Sequence, residues 1–137
     1  MIHYKRHRGK PKKQKISRYY LVAKTEEFAF EKPIEEDWWV AGLEWMESKG
    51  VDIVSSDLAY RDWYQPQYFD VKTAKTTLAA DMAVDKGIVV VSSPSTGGTT
   101  VCAPADGFRV LTAVPAYFDP ETGKMTPGVD VGPTADG

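Results

Sequence analysis

The chain has 137 residues with ordinary apolar and charged fractions, enough for one globular domain and a core of two or three layers. It holds no run of about 18 apolar residues and starts basic without an apolar stretch, so neither a membrane-spanning helix nor a signal peptide is expected. The net charge of −2 hides an asymmetry: eight of the 17 Lys and Arg precede Tyr19 and no acid appears before Glu26, leaving 9 bases against 19 acids in the remainder. The single cysteine, Cys102, excludes an internal disulfide and any cysteine-based metal site, and reads as a small buried hydrophobe.

Residues 1–18 form a basic arm without apolar periodicity, expected to be irregular. Such an arm is able to attract nucleic acid or an anionic surface, but charge alone argues only for a solvated tail or one that folds back on the acidic body. The domain proper is expected over 19–137. The run Tyr19 to Lys24 is compact, apolar and rich in strand formers, and predicts a buried strand as the first sheet element.

A helix is predicted over Ile34 to Lys49. Pro33 suits its start, Glu35, Glu36 and Asp37 suit its dipole, and Gly50 suits its stop. Trp38, Ala41 and Trp45 recur at helical spacing beside Trp39, Gly42, Leu43 and Met46, which predicts a wide apolar face turned to the core. The stretch Val51 to Ser56 then predicts a strand. The string Tyr60 to Phe69 is aromatic but has a proline and no period, so it reads as a loop that either lines a cleft or folds under itself as a satellite cluster.

A second helix is predicted over about Thr73 to Lys86, capped by Gly87, with Leu78 and Met82 packing on the sheet beside Ala74 and Ala79. Ile88 to Ser92 predicts a strand, Ser93 to Gly98 a glycine loop, Cys102 to Gly107 a turn, and Arg109 to Val114 a fourth strand. From Asp119 onward, Pro, Gly, Asp and Thr predict loop or edge structure. Alternating strands and helices imply an α/β domain with a parallel sheet flanked by helices. In such sheets ligands gather past the carboxyl ends of the strands, here residues 56–60 and 92–98.

The residues themselves reveal no enzyme. The only histidines, His3 and His7, lie in the arm without a triad context, and Ser95-Thr96-Gly97-Gly98 lacks the spacing of either standard phosphate loop. No cofactor or metal is expected, since no carboxylates fall at ligand spacing. Asp57 is the one acid at a strand exit, where partial burial is expected to perturb its titration.

The run Leu43-Glu44-Trp45, then Gly50 to Tyr60, then Ala79-Ala80-Asp81-Met82-Ala83 and Lys86 to Ser92, then Pro104-Ala105-Asp106 and Gly132 to Gly137, resembles the subtilisin-like serine proteases in order from about Tyr20 to the last residue. The resemblance implies the middle portion of a peptidase domain, and a cis bond before Pro104. It puts Asp57-Leu58-Ala59 where the family's substrate-binding strand reads Ser-Leu-Gly, so that a side chain at residue 59 crowds a peptide's approach. It puts Ser92-Ser93-Pro94-Ser95 where the family reads Ser-Ala-Gly-Asn, so that Ser95, too short for an asparagine's reach, stands at the oxyanion position. The family's catalytic Asp, His and Ser have no counterparts in these 137 residues.

The implied function is therefore a serine endopeptidase domain in part, inactive as it stands. The alternative is a non-catalytic module that binds a peptide or protein segment. Nucleic acid is not an expected partner, and the family's usual secretion leaves the location of this chain undetermined. The resemblance further implies an apolar sheet face and an unpaired edge left open where the family's serine-bearing helix would pack, hence a tendency to self-associate.

Overall fold

The helices and strands take their places through two similar chain reversals. The computed structural model describes residues 2–5 and 20–21 by their backbone course, and 32–95, 100–128 and 132–134 in full. Helix α1 spans Ile34–Ser48 and helix α2 spans Lys75–Asp85. Each ends in a Schellman turn. Gly50 N–H donates to the Glu47 carbonyl at 2.8 Å and Val51 N–H to Met46 at 3.4 Å, while Gly87 donates to Val84 at 2.9 Å and Ile88 to Ala83 at 3.0 Å. Gly50 and Gly87 sit at φ +68° and +86°, the left-handed region that glycine enters without penalty. Both turns feed directly into strands, so helix and strand are set antiparallel within a few residues.

Those strands are β3 (Ile53–Ser56) and β4 (Val89–Ser92), in a five-stranded sheet with β1 (Ile2–Lys5), β2 (Tyr20–Leu21) and β5 (Leu111–Thr112), in the order β2-β1-β3-β4-β5. β3, β4 and β5 run parallel, with Ser56 opposite Ser92 and Ser92 opposite Thr112. The mixed α/β class is as expected. The wholly parallel sheet is not, because β1 pairs antiparallel to both β3 and β2. β1 also falls in the arm expected to be irregular. Ile2-His3-Tyr4-Lys5 alternates apolar and polar residues, a strand period hidden among the surrounding bases. The rest of the basic arm lies outside the described residues.

Among the described residues, both helices, α1 and α2, pack on one face of the sheet rather than one on each. Val54, Ser56, Val90 and Ser92 are buried on that face, and Trp39 Nε1–H donates to Ser56 Oγ at 3.0 Å. Trp39, Leu43 and Met46 from α1 join Ala80 and Ala83 from α2 in the core with Val51, Val54, Ile88 and Val90. The wide apolar face expected of α1 is thus halved. Trp39 is 2% exposed, but Trp38 is 47% and Trp45 41% exposed, because a helix packed on a single layer hides only one stripe.

On α2 the buried set is Thr76, Thr77, Ala80 and Ala83, whereas Leu78 and Met82 face solvent. Here the apolar pattern misleads because the two threonines turn inward to carboxylate partners. The remaining differences lie near the C-terminal end. Ala116–Asp119 (β6) and Lys124–Pro127 (β7) form an antiparallel hairpin separate from the main sheet. The Ala103–Pro104 bond is cis, as the resemblance implied.

The contrast between adjacent tryptophans predicts adjacent mutations of opposite consequence. Trp39→Ala should cost about 3–5 kcal/mol in urea unfolding, while Trp38→Ala should stay within about 1 kcal/mol.

Candidate functional site

The two exits expected to carry function leave the sheet side by side. Because Ser56 and Ser92 are in register, Ser93 N–H reaches the Ser56 carbonyl at 3.2 Å, and the strands part only beyond that bond. Past β3, Asp57 is exposed while Leu58 and Ala59 are half-buried. Asp57 was expected to be partly buried. It continues the alternation of β3 beyond buried Ser56, and that alternation turns it to solvent. Past β4, Pro94 is buried and its carbonyl accepts from Cys102 N–H at 3.4 Å, and half-buried Ser95 has φ +77°. A left-handed serine directs the chain sharply away from the strand line. Residues 96–99 of the predicted glycine loop lie outside the described residues.

The Cys102 to Gly107 turn closes the site from a third side. Tyr60 N–H donates to the Ala103 carbonyl at 2.8 Å, and the turn is held by Ala105 N–H to Cys102 O at 2.9 Å and Gly107 N–H to Pro104 O at 3.2 Å. Cys102 is buried, as expected. With Phe69, Ala74 and Ala103 it forms a small second cluster, against which Ala59 and Tyr64 pack. A shallow pocket of about 260 Å³ opens beside it, between the aromatic segment (Arg61, Asp62, Tyr64, Pro66, Phe69) and Thr100 with Cys102. The aromatic segment therefore does both things its composition allowed. Phe69 folds under it while Tyr64 and Phe69, edge to face with centroids 5.8 Å apart, line the pocket. A single 3₁₀ turn, Pro66–Tyr68, lies within what reads as loop.

What fixes this segment is a carboxylate that sequence reasoning assigned to a helix dipole. Glu36, in the first turn of α1, is 1% exposed. Its Oε2 accepts from Trp63 Nε1–H at 2.9 Å and from Tyr64 O–H at 2.8 Å, and its Oε1 from Thr76 Oγ–H of α2 at 3.2 Å. One side chain thereby ties α1, the pocket wall and α2 together. Burial, followed by the hydrogen bond and charge of Glu36, pushes the Tyr64 hydroxyl up to about 12. The only signal in the sequence is an acid at the third helical position followed by two aromatic hydrogen-bond donors on one loop, which many solvated segments share.

A second buried acid stands behind the turn. Asp106 is 1% exposed and its Oδ1 accepts from the Thr77 hydroxyl of α2. Its Oδ2 has no hydrogen-bond partner among the described residues. Burial raises its carboxyl above the ordinary 3.8, with the Thr77 hydroxyl and the Val71 N–H pulling the other way. Val71 itself is held at φ +61°, an outlying conformation for a β-branched residue. Among the described residues no three His, Cys, Asp or Glu side chains gather in a way that could hold a metal ion. Compared with known proteins, the chain matches no family model, no curated protein and no solved structure.

Both acids give measurable consequences. Glu36→Gln puts an amide N–H₂ against donors and should cost about 1–3 kcal/mol, with the Tyr64 titration moving part of the way from about 12 toward 10.0 in absorbance titrations referenced to Tyr64→Phe. For Asp106, the folded chain keeps a proton that the unfolded chain releases at 3.8. Stability should therefore fall as pH rises above 3.8, and the loss should be complete once the pH passes the raised folded value. Thermal melts of Asp106→Asn should lack that segment of the pH dependence.

Proposed function

We propose that this chain is the middle portion of a subtilisin-like serine endopeptidase domain, without its own catalytic Asp, His and Ser and without peptidase activity. The observation that carries the proposal is the side-by-side departure of the β3 and β4 exits, joined through Ser93 N–H to Ser56 O at 3.2 Å. On this reading Asp57-Leu58-Ala59 takes the substrate-pairing position and Ser95 the oxyanion position, and the reading is supported by these residues following the same end of one parallel pair, as cleavage of a peptide held along a strand requires. The residues at those positions argue against turnover. The Ala59 methyl crowds a paired peptide, Pro94 removes an N–H, and Ser95 lacks the reach of an asparagine amide.

The second reading is a module that binds a peptide or protein segment without cleaving it. The pocket beside Cys102 favours it, since a cleft with aromatic walls and a rim of Arg61 and Asp62 can hold a side chain of an extended segment without any nucleophile.

Two assays test these readings. A serine-reactive fluorophosphonate should leave the chain unlabelled and a peptide library should remain uncut, whereas stoichiometric labelling overturns the inactive assignment. For the binding module, fluorescence polarisation with extended apolar peptides should show saturable binding. Ala59→Gly should tighten it on the order of fivefold, about 1 kcal/mol, by removing the crowding methyl. No saturable binding by either form removes the second reading.

A further inference from the structure

We propose that the cover over Cys102 is a latch worked by one proton on Asp106, closed while that carboxyl is neutral and opening once it ionises. Two short segments meet on the thiol. One is the bend 70–73, whose flanking residues Phe69 and Ala74 are buried against Cys102 and Ala103. The other is the Cys102 to Gly107 turn itself. Asp106 joins this turn to α2 through the Thr77 hydroxyl on Oδ1, and the Val71 N–H of the bend is drawn to the same carboxyl. It is buried, and its Oδ2 has no hydrogen-bond partner among the described residues. A neutral carboxyl is buried there at modest cost, whereas a carboxylate with one bare oxygen gains from any movement that lets water in.

The charges around Asp106 sharpen that cost. From the bend it meets the carboxylate of Asp70, which opposes a second negative charge. On α2, Asp81 stands one turn beyond Thr77 and takes Arg109 N–H at 3.0 Å, and α1 brings the carboxylate of Glu36 to Thr76, next to Thr77. From β5 comes only the uncharged Thr112, whose hydroxyl donates to the Ala105 carbonyl at 2.7 Å. The cations of these elements are engaged elsewhere: Arg109 pairs with Asp85, Lys75 pairs with Asp37, and Lys72 is exposed.

The bend is the segment able to move. Residues 70–73 are half-buried or exposed, and Val71 is held at φ +61°, which its release would relieve. Lifting it carries Phe69 and Ala74 off the thiol and parts Phe69 from Cys102 across the pocket. Water reaching the opened carboxyl returns it to its ordinary 3.8, whereas burial holds it higher in the closed form. Closure is therefore fully supported below 3.8 and weakens as pH rises, by about tenfold per pH unit, until the closed-state value is passed. This opening rests on neither functional reading of the site.

Cys102 is the single cysteine, so its labelling by a pyridyl disulfide reports the latch. Rates on the full chain are divided by those of the urea-unfolded chain at each pH, which removes the titration of the thiol itself. The ratio should rise roughly tenfold or more between about pH 4 and about pH 7 with far-UV circular dichroism unchanged. Low urea should hardly accelerate it, since a local opening exposes little surface. Asp106→Asn should label slowly at both ends of the range. A flat ratio overturns the proposal, as does an equal rise in Asp106→Asn. A rise that grows with urea as steeply as global unfolding overturns it too, and assigns the effect to the whole fold. Should Asp106→Asn fail to fold, the pH and urea profiles of the unaltered chain decide by the same criteria.

Discussion

The buried carboxylate of Glu36 is the constraint on which the arrangement depends. Removing a carboxylate from water is costly, and the cost is met only where donors converge on both oxygens. Here three donors do so, from Trp63, Tyr64 and Thr76. Since Glu36 belongs to α1 and Thr76 to α2, the requirement fixes the two helices relative to each other. Since Trp63 and Tyr64 belong to the segment between β3 and α2, it also fixes the wall of the pocket. The aromatic pairs from Tyr60 to Trp63, at 5.7 Å, and from Trp63 to Tyr64, at 6.0 Å, then pass that position on to the core.

The helix exits supply the second half of the geometry. Each Schellman turn ends its helix and puts an apolar residue, Val51 or Ile88, just past the glycine, over the last turn it has left. The two strands start at equivalent points, so Asp52 O accepts from Val89 N–H at 2.9 Å, and from the pair Ile53 and Val89 the register runs on to set Ser56 level with Ser92. Asp106 does for the far side of the site what Glu36 does for the near side. It holds the Cys102 to Gly107 turn against the first turn of α2, but with one oxygen that finds no hydrogen-bond partner among the described residues, where Glu36 has donors on both.

Much of the scaffold is legible in the sequence because it rests on local signals. Gly50 and Gly87 mark the helix stops, the apolar runs 51–56 and 88–92 mark the parallel pair, and the strand exits follow from those. What is not legible rests on contacts between distant residues. Nothing local separates buried Glu36 from its exposed neighbour Asp37. Nothing local shows that Thr76 and Thr77 turn inward while Leu78 and Met82 turn out, because a threonine counts as polar until its hydroxyl finds a carboxylate. Period alone placed Trp38 and Trp39 in one apolar face, and only the single-layer packing of α1 separates them. The pocket was foreshadowed by its aromatic content, but its other wall, Thr100 and Cys102, comes from across the site.

The packing of α1 and α2 on the sheet also bears on the site. The short turns at Gly50 and Gly87 lie at the opposite ends of β3 and β4 from the exits, so Asp57 and Pro94 are held instead by the buried residues at the strand ends, Ser56 and Ser92, packed under the helices. The exits are thus ordered from the core: the same alternation that buries Val54, Ser56, Val90 and Ser92 under α1 and α2 decides which way residues 57 and 93 leave the sheet.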